Sequence, residues 1–377
     1  MIKASTHYLF LLILLSSFLG QSQITGFKAK FDLPAVVKET SGLLFLDGKI
    51  ITNNDNGDEA YLYEIDSLSG ILNRRITVTN ATNVDWEDLA DDETYIYISD
   101  TGNNKGTRKD LKIYRILKSD FKNGNSVSAE IISFYYEDQT NFTSSDSHNF
   151  DAEALVVYEN NFLLFTKNRG DLKTNVYKFP ISIGNHKAVK VSTANIQGLI
   201  TGATVQNSNF LLCGINASSI PFLVYISSNR SPGDDIFKSG FSKYTLTNEL
   251  GIGNQVEGIT SFDNGKFYIS REAVSENNIS LKQKFFEFRD DRAILLLVAK
   301  NDFEDFNISP NPTFGNLTIR SKKTIQSVDI YSPLGKKVVR FNALQKEINI
   351  SHLSNGIYIV KILFDDKKSV IRKIIKH

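Results

Sequence analysis

Asp85 to Asn103 read DWEDLADDETYIYISDTGN. An acidic residue, a spacer, a second acid, a further polar residue and an apolar residue precede a turn. A strand-like apolar run then ends on a hydroxyl at Ser99. The same form recurs four more times. Glu39 opens ETSGLLFLDGKIITNND, Asp151 opens DAEALVVYENNFLLFTKNR, Leu199 opens LITGATVQNSNFLLCGIN, and Gln255 opens QVEGITSFDNGKFYISRE. The unit opening at Leu199 is the weakest match. Each is followed by further strand-like runs, such as Leu111–Ile116 and Ile131–Tyr135 after the second. A period near that of a four-stranded blade, typically about 40 to 50 residues before loop insertions, predicts an all-β chain built as a β-propeller over residues 24–300. Five blades are visible. A sixth fits if a degenerate unit occupies the long loops, but the apolar run Ile24–Leu33 is better used to pair with the last blade, so that no edge stays open. The competing architecture is a β-sandwich or solenoid.

Working outward, the first residues carry Lys3 and His7, then an apolar run from Leu9 to Leu19, then Gly20, Gln21 and Ser22. That is a signal-peptide pattern over residues 1–22, cut near Ser22, and the run is short of the roughly 20 apolar residues that a membrane span needs. No other stretch is long enough to span, so no transmembrane segment is expected in the mature chain. The 377 residues hold 43 Lys plus Arg against 42 Asp plus Glu. This balance argues against nucleic acid as a partner, which would call for a basic excess. A lone Cys213 permits no internal disulfide, and five scattered His make a zinc centre improbable.

The C-terminal end has a different texture. After a linker over 301–308 come Ser309-Pro310-Asn311-Pro312 with Gly315, Val328-Asp329-Ile330-Tyr331, Leu334-Gly335-Lys336, and Leu353-Ser354-Asn355-Gly356-Ile357-Tyr358. Pro310 and Pro312 stiffen the entry; Pro333–Lys336 and Asn355-Gly356 read as turns between alternating strands. Residues 309–377 resemble the C-terminal sorting domain of the type IX secretion system of Bacteroidetes-type bacteria. The resemblance implies a small β-sandwich, the type IX secretion machinery as a partner, and a destination outside the cell or on the outer-membrane surface. The segment Asp85-Trp86-Glu87-Asp88 with Asp100-Thr101-Gly102-Asn103, followed by Arg108 and Ile113-Tyr114, resembles uncharacterised secreted propellers that share it. More distantly the region is similar to phytase-like and gluconolactonase-like propellers, in which a Ca²⁺ polarises a substrate oxygen.

In a propeller the first strand of each blade lines the central channel, with residues i and i+2 on one side. Glu39 and Ser41, Asp85 and Glu87, Asp151 and Glu153, Gln255 and Glu257 are therefore expected at one channel mouth; Leu199 and Thr201 are the odd pair. The second strand returns to that mouth with Asn53, Asp100, Lys167, Gly214 and Arg271. Carboxylates crowded in this way need a bound cation, shared protons, or pairing with Lys167 and Arg271. Oxygen-only donors favour Ca²⁺, held by Glu87, Glu153, Asp100 and Asn53. The alternative is structural: repetition is what packing symmetry produces, and acids can accept the unpaired N–H groups of inner strands.

Trp86 reads as a blade-packing residue, and Cys213 as a buried small hydrophobe. His148, in the loop before the third blade, is the candidate general base. Asp55–Glu59 lacks EF-hand spacing, and no nucleophile elbow or phosphate-binding glycine loop is present. Three functions fit: a secreted or surface module that binds an extracellular ligand, a Ca²⁺-dependent hydrolase of a lactone or phosphoester, and a purely structural adhesin module with no usable pocket in its channel.

Overall fold

The computed structural model describes residues 24–227, 235–276, 279–290, 292, 306–321, 323–332, 337–342, 347–365 and 369–377. The expected signal peptide, most of the linker and the Pro333–Lys336 turn lie outside these residues. The chain divides into two compact units, one ending at Asp290 and the other spanning Asp291–His377.

In the first unit, strand β1 is Ile24–Asp32. Blade 1 holds β2 (Thr40–Leu46), β3 (Lys49–Asn54), β4 (Tyr61–Asp66) and β5 (Leu72–Val78). Blade 2 holds β6 (Trp86–Asp91), β7 (Tyr95–Asp100), β8 (Lys112–Leu117) and β10 (Glu130–Tyr136); the short β9 (Ser126–Val127) instead joins blade 1 in parallel beside β5. Blade 3 is β11 (Ala152–Tyr158), β12 (Asn161–Thr166), β13 (Thr174–Pro180) and β14 (Gly184–Ala194). Blade 4 is β15 (Leu199–Gln206), β16 (Asn209–Ile215), β17 (Pro221–Ile226) and β18 (Ser242–Thr245). Blade 5 is β19 (Val256–Asp263), β20 (Lys266–Arg271) and β23 (Lys284–Asp290), with a side hairpin of β21 (Val274–Glu276) and β22 (Ile279–Leu281).

The inner strands β2, β6, β11, β15 and β19 touch one another in cyclic order, and β19 returns to β2. The ring thus closes with five blades among the described residues. Strand β1 pairs antiparallel with β23 and supplies the fourth strand of blade 5, as the sequence leads one to expect. Blades 2 and 3 are joined at the rim as well, because β10 and β14 pair in parallel.

Alternation puts apolar side chains on both faces of each blade, so the cores lie between neighbouring blades. Trp86, Leu62, Ile76 and Ile98 fill the space between blades 1 and 2; Tyr97, Ile132, Phe162 and Tyr177 that between blades 2 and 3. Trp86 is fully buried, packs on Tyr114, and donates its Nε1–H to Thr82 O at 3.2 Å. Burying a ring of this size contributes on the order of 3 kcal/mol, and the satisfied N–H removes the cost of hiding it. Trp86 is therefore a packing residue.

Nearer the axis the blades are tied by neutral donors. Ser41 Oγ donates to Glu87 O, Asn53 Nδ2 to Trp86 O at 2.8 Å, Thr101 Oγ1 to Ala152 O at 2.8 Å, and Thr201 Oγ1 to Val256 O at 2.7 Å. Gly42, Gly202 and Gly258 let the strands approach closely, since a Cβ there would overlap Leu89 N, Glu257 O and Ser41 O respectively.

The second unit has two sheets. One orders β24 (Phe306–Ser309), β25 (Asn316–Ser321) and β28 (Glu347–Asn349). The other orders β27 (Lys337–Asn342), β26 (Ile325–Tyr331), β29 (Gly356–Phe364) and β30 (Ser369–Lys376). Leu317, Ile319, Ile330, Ile348, Val360 and Ile374 share one core, which makes the unit a small sandwich. The segment expected as linker up to residue 308 is already strand from Phe306, paired to β25. Alternation of Phe306-Asn307-Ile308 suits pairing, and the two prolines that follow mark the end of the strand rather than the start of the domain.

Candidate functional site

Each inner strand carries a one-residue bulge at the same height: between Thr40 and Leu43, Trp86 and Leu89, Ala152 and Ala154, Ile200 and Gly202, Val256 and Ile259. A bulge bends the strand and re-aims the side chain within it. Ser41, Glu87, Glu153, Thr201 and Glu257 occupy these bulges, and all five are buried.

Glu87, Asp151 and Glu153 converge, each offering a carboxylate oxygen within 4.8 Å of the others. Asp85 joins them: a Cβ on Gly102 would overlap both Glu87 Oε1 and Asp85 Oδ2, so the bare backbone there makes room for two acids. Two cations enter the group from blade 3. Lys167 Nζ lies 2.8 Å from Glu153 Oε2; Arg169 lies 3.0 Å from Asp151 Oδ2 and 3.8 Å from Glu153 Oε1. Asp151 Oδ1 accepts the Asn103 amide at 2.7 Å, and Asn104 bridges Asp85 Oδ2 at 3.0 Å to Arg169 at 2.6 Å. Asp85 Oδ1 is buried without a partner in the protein.

The second strands depart from expectation. After the bulge, Leu43 pairs Thr52, Leu89 pairs Ile98, Leu155 pairs Leu164 and Ile259 pairs Ile269. Counting on from there, the counterparts of Lys167 are Asp55, Thr101, Ile215 and Glu272, not Asn53, Asp100 or Arg271. Backbone bonds agree, since Asp55 N, Lys167 N and Glu272 N each donate to the residue opening their repeat, Glu39, Asp151 and Gln255. Asp55 and Glu272 are thus mouth residues that simple repeat alignment misses. The signal was the acid that follows each strand end, in Asn54-Asp55 and Arg271-Glu272.

The remaining candidates are placed elsewhere. Asp100 is held by Arg108 at 3.0 Å and accepts the Asp85 amide at 3.3 Å, leaving Oδ2 unpartnered. Asn53 Nδ2 makes the tie to blade 2, and its Oδ1 is buried without a partner. Arg271 bonds Lys282 O at 3.0 Å and the Asn254 side chain and lies over the Phe286 ring, so it does not neutralise Glu257. Glu39 is partly exposed, 3.3 Å from Lys38. His148 packs its ring against Gly106, and its Nδ1 accepts the Phe150 amide at 3.1 Å; it touches none of the mouth carboxylates.

Burial dominates the protonation of the group. It holds the carboxyls of Glu87 and Glu257 well above the usual range, with Glu153 and Asp85 adding to the effect on Glu87. Glu153 is pushed up to about 7 by burial, against the pull of Lys167; Glu272 to about 8 by burial and Asp55; and Asp55 to about 6 by burial, with Glu39 and Asp85 behind it. Burial alone would lower Lys167, but Glu153, Glu257, Asp151 and Glu87 around it raise its pKa and keep it charged.

Asp88 does what the structural reading assigned to the repeated acids. It is fully buried, and it accepts the amides of Leu89 at 2.8 Å, Leu155 at 2.9 Å and Ala203 at 3.4 Å, tying blades 2, 3 and 4. Beyond it, at the other ends of the inner strands, lies a cavity of about 120 Å³ lined by Phe45, Asp91, Val157, Val205 and Ser261 among others. The strand ends lining it carry one acid, Asp91, and this is paired to Lys118.

Of the Ca²⁺ set expected from sequence, Glu87 and Glu153 converge with Asp151, whereas Asp100 and Asn53 are not part of that group, although Asp100 Oδ2 and Asn53 Oδ1 are buried without a partner. The oxygen set that is assembled, Glu87, Asp151 and Glu153 with Asp85 beside them, has the hard donors Ca²⁺ prefers and one unsatisfied buried oxygen, so these residues fit such an ion.

No curated protein matches the chain. Among solved structures, an exo-β-1,3-galactanase from Clostridium thermocellum is 9% identical with a TM-score of 0.46, covering 93% of this chain and 87% of that one. The catalytic domain of a Coprinopsis cinerea α-L-arabinofuranosidase is 8% identical with a TM-score of 0.42, covering 70% and 96%. A protein described as a gluconolactonase is 12% identical with a TM-score of 0.38, covering 68% and 76%. Likenesses of this depth leave the chemistry of the mouth to its own residues. Residues 307–377 match the family of the secretion system C-terminal sorting domain. The C-terminal sandwich is therefore a type IX secretion sorting domain, which directs the chain to the cell surface or the extracellular space.

Proposed function

We propose that the chain is made with a signal peptide over residues 1–22, exported by the type IX machinery, and acts outside the cell as a binding module. Its ligand is taken at the acidic mouth through a bound cation. The observation that carries this reading is the convergence of Glu87, Asp151 and Glu153 next to Asp85, whose Oδ1 has no partner. Lys167 and Arg169 pair with Glu153 and Asp151, which leaves Glu87 and Asp85 to be satisfied by protons or by a divalent ion that replaces them. No helix among the described residues is long and apolar enough to cross a membrane.

The test is calorimetric titration of Ca²⁺ into the chain from Ile24 onward, beside Glu87→Gln and Glu153→Gln. Binding that both substitutions abolish is expected. An absence of binding to the parent overturns the reading.

The same convergence supports a second reading, a Ca²⁺-dependent hydrolase of a lactone or phosphoester. An ion held there would supply a Lewis acid. His148 is turned toward Gly106 and Glu153 is taken up as a ligand of the ion, so neither is assigned as the base. Turnover of a lactone or phosphoester by the parent chain that stops in chelator and returns with Ca²⁺ is the expected result for an enzyme. Binding without turnover leaves the first reading.

A further inference from the structure

Lys167 sits inside the acid cluster rather than on its edge. Its side chain is only 12% exposed, Nζ is 2.8 Å from Glu153 Oε2, and Glu257, Asp151, Glu87, Asp55 and Glu272 are further acids whose charges it feels. The counterparts of Lys167 in the other blades, Asp55, Thr101, Ile215 and Glu272, bring no cation, so blade 3 alone inserts an ammonium here. Arg169 is anchored differently: its contacts with Asp151 and Asn104 fix it in the wall of the mouth. Independently of the cluster, Asp85 is 8% exposed and keeps Oδ1 unpartnered, while its other oxygen shares the space beside Gly102 with Glu87.

We propose that Lys167 is a tethered occupant of a divalent-cation seat formed by Asp85, Glu87, Asp151 and Glu153, and that Ca²⁺ enters by exchange as the ammonium swings out. The inference deepens the reading above and rests on it. One ammonium offsets one carboxylate, whereas Ca²⁺ offsets two, so exchange relieves more of the surplus. The donor set is all oxygen, which suits a hard ion with ligand distances of about 2.3–2.6 Å. A lysine head rides on four methylenes and can leave without moving the backbone. Until the ion arrives, the tether keeps the acids from facing one another uncompensated.

The exchange is tested by calorimetry with Lys167→Met against the parent, using Ca²⁺ alone as the probe and thermal melting in chelator as the folding control. The variant is expected to bind Ca²⁺ at least about tenfold more tightly, because no internal cation competes, and to regain on Ca²⁺ addition the melting temperature it loses in chelator. Equal affinity in parent and variant overturns the exchange while leaving the binding reading intact; binding to neither overturns both. Should Lys167→Met not fold, the parent decides the matter. Labelling of Lys167 by an amine-reactive reagent, read by mass spectrometry, is expected to rise when Ca²⁺ is added, and labelling that does not change overturns the proposal.

Discussion

Blades 2 and 4 share a backbone and differ in chemistry. Both bulge at the same height of the inner strand, and both send a threonine hydroxyl to a carbonyl of the following blade, Thr101 to Ala152 and Thr201 to Val256. Where blade 2 has Glu87 and Asp88, blade 4 has Thr201 and Gly202, and where blade 2 has Asp100 with Arg108, blade 4 has Gly214. Blade 4 closes the ring without a single mouth acid. The hub therefore does not need repeated carboxylates to hold together; neutral donors suffice, and the acids of the other blades are free for something else. Asp88 is the exception, and it is an acid that no other blade repeats.

The sharpest break of this comparison is Asp88→Ala. Three buried amides lose their acceptor, so we expect about 3–5 kcal/mol of destabilisation by chemical denaturation, roughly halved in Asp88→Asn, which keeps one acceptor oxygen. A loss no greater than that of Thr201→Val would mean that blade 2 leans on neutral donors as fully as blade 4 does. Next comes Gly202→Ala, whose methyl would overlap Glu257 O. A cost of about 1–3 kcal/mol is expected, because the strand must back away from blade 5.

Acid dependence sharpens the contrast from the other side. Asp55, Glu153 and Glu272 titrate near 6, 7 and 8 in the folded chain, against about 4 when unfolded. The folded state then binds more protons than the unfolded one between those limits. The stability they contribute is complete below pH 4 and drains away as pH rises through 6 to 8. Melting in chelator should fall by at least about 5 °C from pH 5 to pH 8, less steeply in Glu272→Gln; a flat profile would mean these acids are no more strained than the neutral positions of blade 4. The smallest effect is Thr201→Val, about 1 kcal/mol for one interblade bond, measured by the same denaturation.

Much of the ring was legible. Five self-similar stretches gave five blades, and the spare apolar run at Ile24 gave the closing strand, because packing symmetry repeats in sequence what it repeats in space. The mouth was only partly legible. Glu87, Asp151 and Glu153 followed from alternation, but Asn53 and Arg271 did not, because repeat alignment lined Lys167 up with positions that fall short of the pairing register, Arg271 by one residue and Asn53 by two. A bulge changes that register by one residue without marking the sequence, and a one-residue slip moves a side chain to the opposite face. Asp88 was hidden for another reason. It stood in plain view within Asp85–Asp88, but its partners are backbone amides of Leu155 and Ala203, which no residue type announces.

The closing strand also sets a schedule. Lys30 of β1 meets Glu287 of β23 at 3.0 Å across 257 residues of chain. At synthesis rates of about 5–20 residues per second, β1 waits roughly 13 to 50 s for its partner to exist. Throughout that interval β1 has no blade to join, and the ring is an open arc with raw edges at both ends. Two register shifts in β1 and the charges of Lys28 and Lys30 make it a poor template for pairing with another chain. Late closure leaves the chain unlocked until its last blade is complete, so any handling that requires an unfolded polypeptide has its opportunity before Asp290 appears.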